Sequence, residues 1–238
     1  MTQHRPLSSR DDRDLRIRTE RSAVLGDAAM CCVTFPEEFR RVQAHYPIVF
    51  QRDAGRSRFN ALALTGFQDG ENLFLTEAGW DAHYIPLAMN IQPFLVGRSA
   101  EPGGASQVHI DMGHPRVGGE EGLRVFDDEG RPTPFLEAMN DRLGELQAGY
   151  ENSGSYLDAL VRHDLLEPFA LDVTLKDGSQ NRLVGFHAIN EERLRDLDTG
   201  TLAELHAAGH LMPTFMAVAS LSHFNDLVAR KNARLKDV

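Results

Sequence analysis

The sequence predicts an α+β fold, with a mainly antiparallel sheet and a helical C-terminal portion packed on it. Apolar and polar residues alternate over Gln107–Met112, which is typical of a strand. Leu171–Leu175 and Arg182–Ile189 flank a turn signal and predict an antiparallel hairpin. Helical spacing dominates from Thr133 onwards, outside that hairpin.

Composition and charge limit the classes of protein to consider. The chain has 238 residues and a net charge of -10, so a general nucleic-acid binder is not expected. Its longest apolar window, Leu211–Leu221, is far shorter than the roughly 20 residues of a membrane span. The two cysteines, Cys31 and Cys32, are adjacent and badly placed for a disulfide. This favours a reducing compartment, and we predict a cytoplasmic protein without a membrane span.

Residues 1–21 are predicted to form a flexible arginine-rich arm. This stretch has six arginines and four acidic residues, and no apolar periodicity. Such an arm would contact an acidic partner or a neighbouring subunit. Residues 22–238 are predicted to form one α+β domain because the linkers are short and no boundary is evident.

The first half of the chain is predicted to consist mainly of strands. In order, the pattern predicts a helix from the Thr34–Glu37 capping box to His45, strands at Pro47–Phe50, Asn60–Phe67 and Asn72–Thr76, a short helix at Pro86–Asn90, and strands at Pro93–Val96, Gln107–Met112 and Leu123–Phe126. Asp69-Gly70 predicts a hairpin between the second and third strands. A Gly-rich loop is expected over Ser99–Ser106.

The second half is predicted to be mainly helical. Helices are expected at Thr133–Gln147 and Ser155–Leu166, and three more follow the hairpin, beginning after Asn190, at the Thr201–Glu204 capping box and at Pro213. Gly209 is predicted to end the second of these three. The third is predicted to be the longest, ending near Arg234. Its N-terminal half is apolar nearly all round, so we expect it to be buried.

His109, Asp111 and His114 form the candidate metal site. His109 and Asp111 project from the same strand face, about 7 Å apart, and non-haem Fe(II) oxygenases use a His-x-Asp pair with a further histidine. His114 or a distant histidine would complete the site. The alternative is a polar strand face with a His–Asp hydrogen bond. Fe(II) is therefore expected only under the metal hypothesis, and otherwise no cofactor is expected.

An aromatic cluster between residues 80 and 94 is the candidate ligand pocket. Its residues are Trp80, Asp81, His83, Tyr84 and Phe94. A few aromatic side chains with polar groups are typical of a small-molecule site. The alternative is that these side chains belong to the core. Neither a nucleophile elbow nor a family-type cysteine signature is present, so the catalytic residues stay unknown.

Several segments resemble the SapC family. They are Tyr46–Phe50, Ala61–Phe67, Gly70–Leu75, Trp80–Pro86 with Pro93-Phe94, Leu166–Pro168, Asp177-Gly178, Leu183–Phe186 and Gly209–Leu221. The resemblance extends over about residues 46–235. It departs at Met89–Gln92, where many members have an arginine pair, so any anion-binding role of those arginines is in doubt here.

The resemblance implies a role in a peptide or small-molecule uptake or modification pathway. Similar proteins are encoded near halogenase-like and cupin-like proteins and TonB-dependent receptors. Our leading hypothesis is a non-enzymatic accessory or binding protein, which holds a peptide or small molecule or docks on a halogenase-like or cupin-like enzyme. The alternatives are an Fe(II)-dependent oxygenase-like enzyme and a surface-layer-associated structural protein. A homodimer stays open.

Overall fold

The structure is a computed structural model that describes residues 3–53, 55, 58–97 and 106–235, so the predicted loop over Ser99–Ser106 lies almost wholly outside the described residues. The strands are β1 His4–Pro6, β2 Arg16–Ile17, β3 Cys31–Thr34, β4 Ile48–Arg52, β5 Phe59–Leu64, β6 Leu75–Thr76, β7 Gly79–Trp80, β8 Phe94–Gly97, β9 Gln107–Asp111, β10 Leu123–Arg124, β11 Leu166–Thr174 and β12 Gln180–Ile189. The helices are α1 Phe39–Val42, α2 Leu87–Asn90, α3 Pro134–Arg162, α4 Glu191–Arg195, α5 Thr199–Ala207, α6 Leu211–Ser220 and α7 Phe224–Arg234. All strand pairs are antiparallel, and the α+β prediction is confirmed. Among the described residues, no helix is both long and apolar enough to cross a membrane.

Contacts divide the chain into two compact units, whereas the sequence predicted one domain. The first unit comprises residues 1–28, 75–81 and 87–148, and the second comprises 29–74, 82–86 and 149–238. Helix α3 therefore supplies residues 134–148 to the first unit and 149–162 to the second. The chain passes between the units several times, which explains why no linker is visible in the sequence.

The first unit is built on a three-stranded sheet of order β1-β9-β8. Its apolar core joins these strands to the first half of α3. The buried members are Ile17, Ile91, Phe94, Ile110, Val125, Phe126, Leu136, Met139 and Leu143. Alternation in β9 buries Ile110 completely, as the strand pattern predicts.

The stretch predicted as a flexible arm is part of this unit. Its residues form β1, which pairs with β9, and β2, which pairs with β10. Ile17 is 1% exposed, and Leu7 and Leu15 pack against the same core. The structure thus differs from the expected arm because three isolated apolar residues and two short ladders hold a stretch that has no helical or strand periodicity of its own.

A buried charge cluster links three separate parts of the first unit. Arg116 is 1% exposed and donates to Asp27, which is 0% exposed, over 2.6 Å. Its guanidinium also donates to the carbonyls of Arg18 and Glu20. Arg21 donates to the other Asp27 oxygen and to the Asn90 side chain. One buried carboxylate therefore compensates two guanidinium groups, and removing it leaves an uncompensated buried charge.

The substitution Asp27→Asn should strongly destabilise the protein. It keeps the shape of the side chain but removes the carboxylate charge to which both Arg116 and Arg21 donate. We expect the free energy of unfolding to fall by about 3–5 kcal/mol. Urea denaturation measures it. Asp14→Asn is the matched control, because the Asp14 side chain is 96% exposed and lies 3.8 Å from Arg124. Equal unfolding midpoints for the two variants would contradict the compensating role of Asp27.

The second unit is built on a five-stranded antiparallel sheet of order β11-β12-β4-β5-β3. Strand β5 lies between β3 and β4, and the three strands carry the residues that are buried on both faces, such as Ile48, Val49 and Ala63. β11 and β12 form the predicted hairpin around residues 175–179. The prediction of this hairpin is confirmed.

Helix α3 is continuous over 29 residues, whereas the sequence predicted two helices separated near residue 150. The prediction of a second helix rested on Ser155 as an N-cap with Asp158 three residues further on. A Cβ at Gly149 would lie 3.0 Å from the Phe35 side chain, so glycine allows the helix backbone to approach that ring. Packing therefore outweighs the low helix propensity of this segment.

Two further predictions in the second unit were wrong. Residues 72–74 form no strand, because the Glu71 carboxylate accepts from the Phe67 N–H and the Asn72 side chain accepts from the Phe74 N–H. The predicted helix from Pro213 to Arg234 is interrupted by a 3-10 turn at Leu221–His223 between α6 and α7.

The two capping boxes also differ from the prediction. Thr34 is the last residue of β3, and its hydroxyl donates to Glu38 instead of capping a helix. Helix α5 begins earlier than expected, since Asp198 is its N-cap and accepts from the Gly200 and Thr201 N–H groups. The Asn190 cap of α4 is confirmed, because its side chain accepts from the Arg193 N–H.

Candidate functional site

The residues predicted to form an aromatic pocket are distributed over both units. Trp80, Asp81 and Phe94 belong to the first unit, and His83 and Tyr84 to the second. Phe94 is a buried member of the core, and Trp80 pairs with Leu75 in a two-residue ladder.

In the second unit, the remaining two residues of the predicted pocket have separate packing partners. The Tyr84 hydroxyl donates to the buried Glu38 carboxylate over 2.7 Å, and Arg41 covers the Tyr84 ring at 4.8 Å. His83 stacks on His45 with 5.8 Å between the ring centroids. These contacts favour the packing alternative for His83 and Tyr84.

Two of the candidate metal ligands, Asp111 and His114, have separate hydrogen-bond partners in the first unit. Asp111 accepts from the Gln3 and Gly113 N–H groups and lies 3.6 Å from His4, which sequence reasoning missed. The hydrogen bond from Gln3 is the main cause that lowers the pKa of Asp111. His109 lies against Gly97, whose missing Cβ leaves room for the imidazole.

His114 is the third residue of the predicted metal site. Its Nδ1 accepts from the Arg116 N–H, and burial lowers its pKa. Within the described ranges, no three histidine, cysteine, aspartate or glutamate side chains are grouped so that they could hold a metal ion. The structure therefore does not bring His109, Asp111 and His114 together as a set of ligands.

A cleft in the second unit is the stronger candidate site. It has a volume of about 590 Å³ and three walls: the turn that leads into α1, the second half of α3, and the start of α6. We name it the α6 cleft. Its lining residues are Pro36, Glu37, Arg40, Glu151, Asn152, Ser155, Tyr156, Ala208, Gly209, His210, Met212, Pro213 and Met216. This volume is within the range of about 300–1,000 Å³ that small-molecule sites occupy.

The third wall depends on how α5 ends. Gly209 has a φ of +73°, and the His210 N–H donates to the Leu205 carbonyl over 2.8 Å, which closes α5 in a Schellman-type turn. The chain then reverses into α6 and places His210 beside the α3 wall. The prediction that Gly209 ends this helix is confirmed.

A chain of polar groups crosses the floor of the α6 cleft. The Ser155 hydroxyl donates to the Asn152 carbonyl over 3.2 Å, and His210 Nε2 lies 3.5 Å from Ser155 Oγ. Among the described residues, His210 Nδ1 is buried without a hydrogen-bond partner. A proton on Nδ1 would be an unsatisfied buried donor, so we assign the proton to Nε2. Burial lowers the pKa of His210, which keeps the ring neutral near pH 7.

The position of the His210 proton determines which chemistry the Ser155–His210 pair can perform. The nitrogen that faces Ser155 carries the proton, so it cannot act as the base that activates a serine nucleophile. Within the described part of the chain, no carboxylate binds the other nitrogen to orient the ring, as one does in the catalytic triad. In this arrangement, His210 Nε2–H faces Ser155 Oγ as a hydrogen-bond donor.

Apolar side chains of α6 form the third wall, and some of them are exposed. Met212 is 58% exposed, and Phe215, one turn further on the outer face, is 55% exposed. The sequence predicted burial of this segment, and that prediction is wrong for its outer face. Met212 and Met216 are four residues apart, so both side chains lie on the helix face that borders the cleft. Methionine side chains adapt to ligands of different shape.

Glu37 and Arg40 carry opposite charges at one wall of the cleft. Glu37 and Arg40 are exposed, and in the part of the chain that the structure describes neither forms an ion pair. The Arg40 guanidinium lies 4.0 Å from the Met212 sulfur. The sequence signal that could have identified this site is the Met212/Met216 spacing directly after Gly209, together with the polar residues 151–155.

Comparison with known proteins gives a family and no closer relative. The SapC family model matches residues 7–227, and the chain therefore belongs to the SapC family. No curated protein and no solved structure matches the chain.

Gly209→Ala should destabilise the protein by about 1 kcal/mol, because an L-residue is strained at a positive φ even where space is open. Gly154→Ala is the matched control in the interior of α3, where no atom lies near the added Cβ. It should stabilise the protein by about 0.5–1 kcal/mol. Thermal denaturation measures the midpoint of each variant. Midpoints that shift in the same direction would contradict the backbone roles assigned to Gly209 and Gly154.

The unfolding free energy should fall as the pH is lowered from 7 to 5. The pKa of His210 is lowered in the folded state by burial, with a further contribution from Arg162. The unfolded chain binds the proton first, near pH 6.5, so acid favours unfolding until the folded state is protonated too. His45, His114 and His187 shift in the same direction. His210→Gln should show a shallower pH dependence in urea denaturation, and equal slopes would contradict this.

Proposed function

We propose that this member of the SapC family is a non-enzymatic accessory protein that binds a peptide or small molecule in the α6 cleft. The observation that carries the proposal is an apolar helix wall that the chain leaves exposed beside a cleft of about 590 Å³. A scattered exposed apolar residue needs no explanation. Met212 and Phe215 are neighbours on one helix, and Met212 continues into a cavity, which is typical of a binding surface.

The polar groups of the cleft support binding rather than catalysis. Ser155 and Asn152 on α3, and His210 in the turn before α6, offer hydrogen-bond donors and acceptors at fixed positions. Tyr156 closes the floor and is 1% exposed, with its ring edge-on to His210 at 5.7 Å. Such a site orients a ligand through a few polar contacts while apolar walls supply the contact area.

The same proposal includes the cytoplasmic location and the possibility of docking on a halogenase-like or cupin-like enzyme. Cys31 and Cys32 are free thiols, and burial raises the pKa of both. Adjacent residues of a strand point to opposite faces, so these two thiols suit a reducing compartment rather than a disulfide. A carrier that presents its ligand to such an enzyme would need no catalytic group of its own.

Methionine methyl spectra provide a direct test of the binding site. The chain has seven methionines, so ¹³C-methyl labels report on the cleft through Met212 and Met216, while the buried Met89 and Met139 serve as internal references. We expect a mixture of free amino acids, tripeptides and aromatic carboxylic acids to shift the two cleft signals. The added compounds should be recovered unchanged. Conversion of a compound would contradict the non-enzymatic role.

A blocking variant and its control locate the effect. Ser155→Trp places a large ring in the cleft and should abolish the shifts. Asp158→Trp makes the same change three residues further along α3, at an exposed residue that does not line the cleft. If both variants respond like the unaltered protein, binding takes place elsewhere and the proposed site is wrong.

A further inference from the structure

We infer that the occupant of the α6 cleft is a short peptide with both termini free, held by its carboxylate at Arg40 and by its ammonium group at Glu37. This inference rests on the proposed function and names the ligand class of the same site. The occupant has to satisfy three features of the cleft: a cation and an anion without ion-pair partners, a row of hydrogen-bonding groups, and an apolar wall.

The charges set the first requirement. Glu37 and Arg40 lie three residues apart at one wall, and neither is in an ion pair among residues 3–53, 55, 58–97 and 106–235. Arg40 reaches the sulfur of Met212, so its guanidinium stands next to the α6 wall. A guanidinium binds a carboxylate through two parallel N–H donors, which favours Arg40 as the site of the peptide carboxylate.

Ligands with a single kind of charge fit less well. Glu37 and Arg40 stand at the same wall of the cleft. A purely anionic ligand would approach the Glu37 carboxylate, and a purely cationic ligand would approach the Arg40 guanidinium. Two like charges that are brought close together disfavour binding. An uncharged ligand would supply no opposite charge to the Glu37 carboxylate or to the Arg40 guanidinium. A zwitterion supplies an opposite charge to both groups.

The polar and apolar walls distinguish a peptide from a small zwitterion. A peptide bond has one N–H donor and one C=O acceptor. At the cleft, the Ser155 hydroxyl oxygen is an acceptor and the Asn152 side chain is both donor and acceptor. Met212 and Met216 then face the peptide side chains. A single free amino acid has no peptide bond for these groups and leaves most of the 590 Å³ unfilled.

Peptides with blocked ends test the inference. The probes are Ala-Ala-Leu, Ala-Ala-Met and Ala-Ala-Phe, each with free ends, with an acetylated N-terminus, with an amidated C-terminus, and with both ends blocked. Calorimetric titration and the Met212 and Met216 methyl signals measure the dissociation constants. We expect either block to weaken binding about fivefold, since an exposed charge pair contributes up to about 1 kcal/mol.

The variants assign each end to its residue. Arg40→Gln should make binding insensitive to amidation while it keeps the sensitivity to acetylation, and Glu37→Gln should do the reverse. Arg193→Gln and Glu192→Gln make the same changes on the exposed face of α4 and should alter neither sensitivity. Each variant is exposed at the surface, so the folded state is expected to persist, and its denaturation midpoint verifies this.

The outcomes separate the two proposals. If all end states bind equally, or if the peptides fail while other members of the mixture shift the cleft signals, the zwitterionic peptide is wrong and the binding function stands. If neither the peptides nor any other compound shifts Met212 and Met216, the proposed function itself fails. A loss of both sensitivities in Arg40→Gln alone would overturn the assignment of the ammonium group to Glu37.

Discussion

The contact between Phe35 and the backbone of α3 at Gly149 determines the geometry on which the α6 cleft depends. The missing Cβ lets the helix lie against the ring, and Tyr150 adds an edge-on contact at 6.4 Å. Phe35 directly precedes Pro36 and Glu37, and Asn152 follows Gly149 by less than one turn. This single contact therefore sets the separation between the first two walls of the cleft. It also explains why a segment rich in glycine and polar residues stays helical.

The third wall is held by a different set of interactions, all within the second unit. The buried Ser220 hydroxyl accepts from the Ile48 N–H at the start of β4 and donates to the Ala217 carbonyl of α6. Near the other end of α6, the Thr214 hydroxyl lies 3.5 Å from the Tyr156 hydroxyl of α3. Helix α6 is thus tied to the sheet at one end and to α3 at the other. Its outer face carries the exposed Met212 and Phe215 side chains.

The sequence predicted the elements whose signals are local. Alternation and turn residues predicted β4, β8, β9 and the β11–β12 hairpin. Signals within a few residues of each other predicted α2, the Asn190 cap of α4 and the end of α5 at Gly209. The structure differs where distant residues decide. Leu7 and Ile17 gain their burial from strands a hundred residues away, and α3 continues through Gly149 because of Phe35. Family membership was predicted from segments along the chain, and it gave no guide to the cleft.

The candidate site was harder to predict than the fold for a physical reason. Single-sequence patterns place histidine and aspartate on the same strand face but do not show which side chains lie next to them. His4, which is distant along the chain, lies directly opposite Asp111 in the β1–β9 ladder. The sequence correctly showed that α6 is apolar nearly all round, but the burial inferred from this pattern is wrong for the outer face of the helix. A helix that is apolar all round is buried only if the chain supplies cover for every side. Here α3 and the sheet hold one side of α6, and no described segment covers Met212 and Phe215, so the remaining apolar area is available to a ligand. An apolar helix with its polar neighbours turned towards the same cavity then has the composition of a binding site, because the groups that orient a ligand and the groups that bury it lie on adjacent walls.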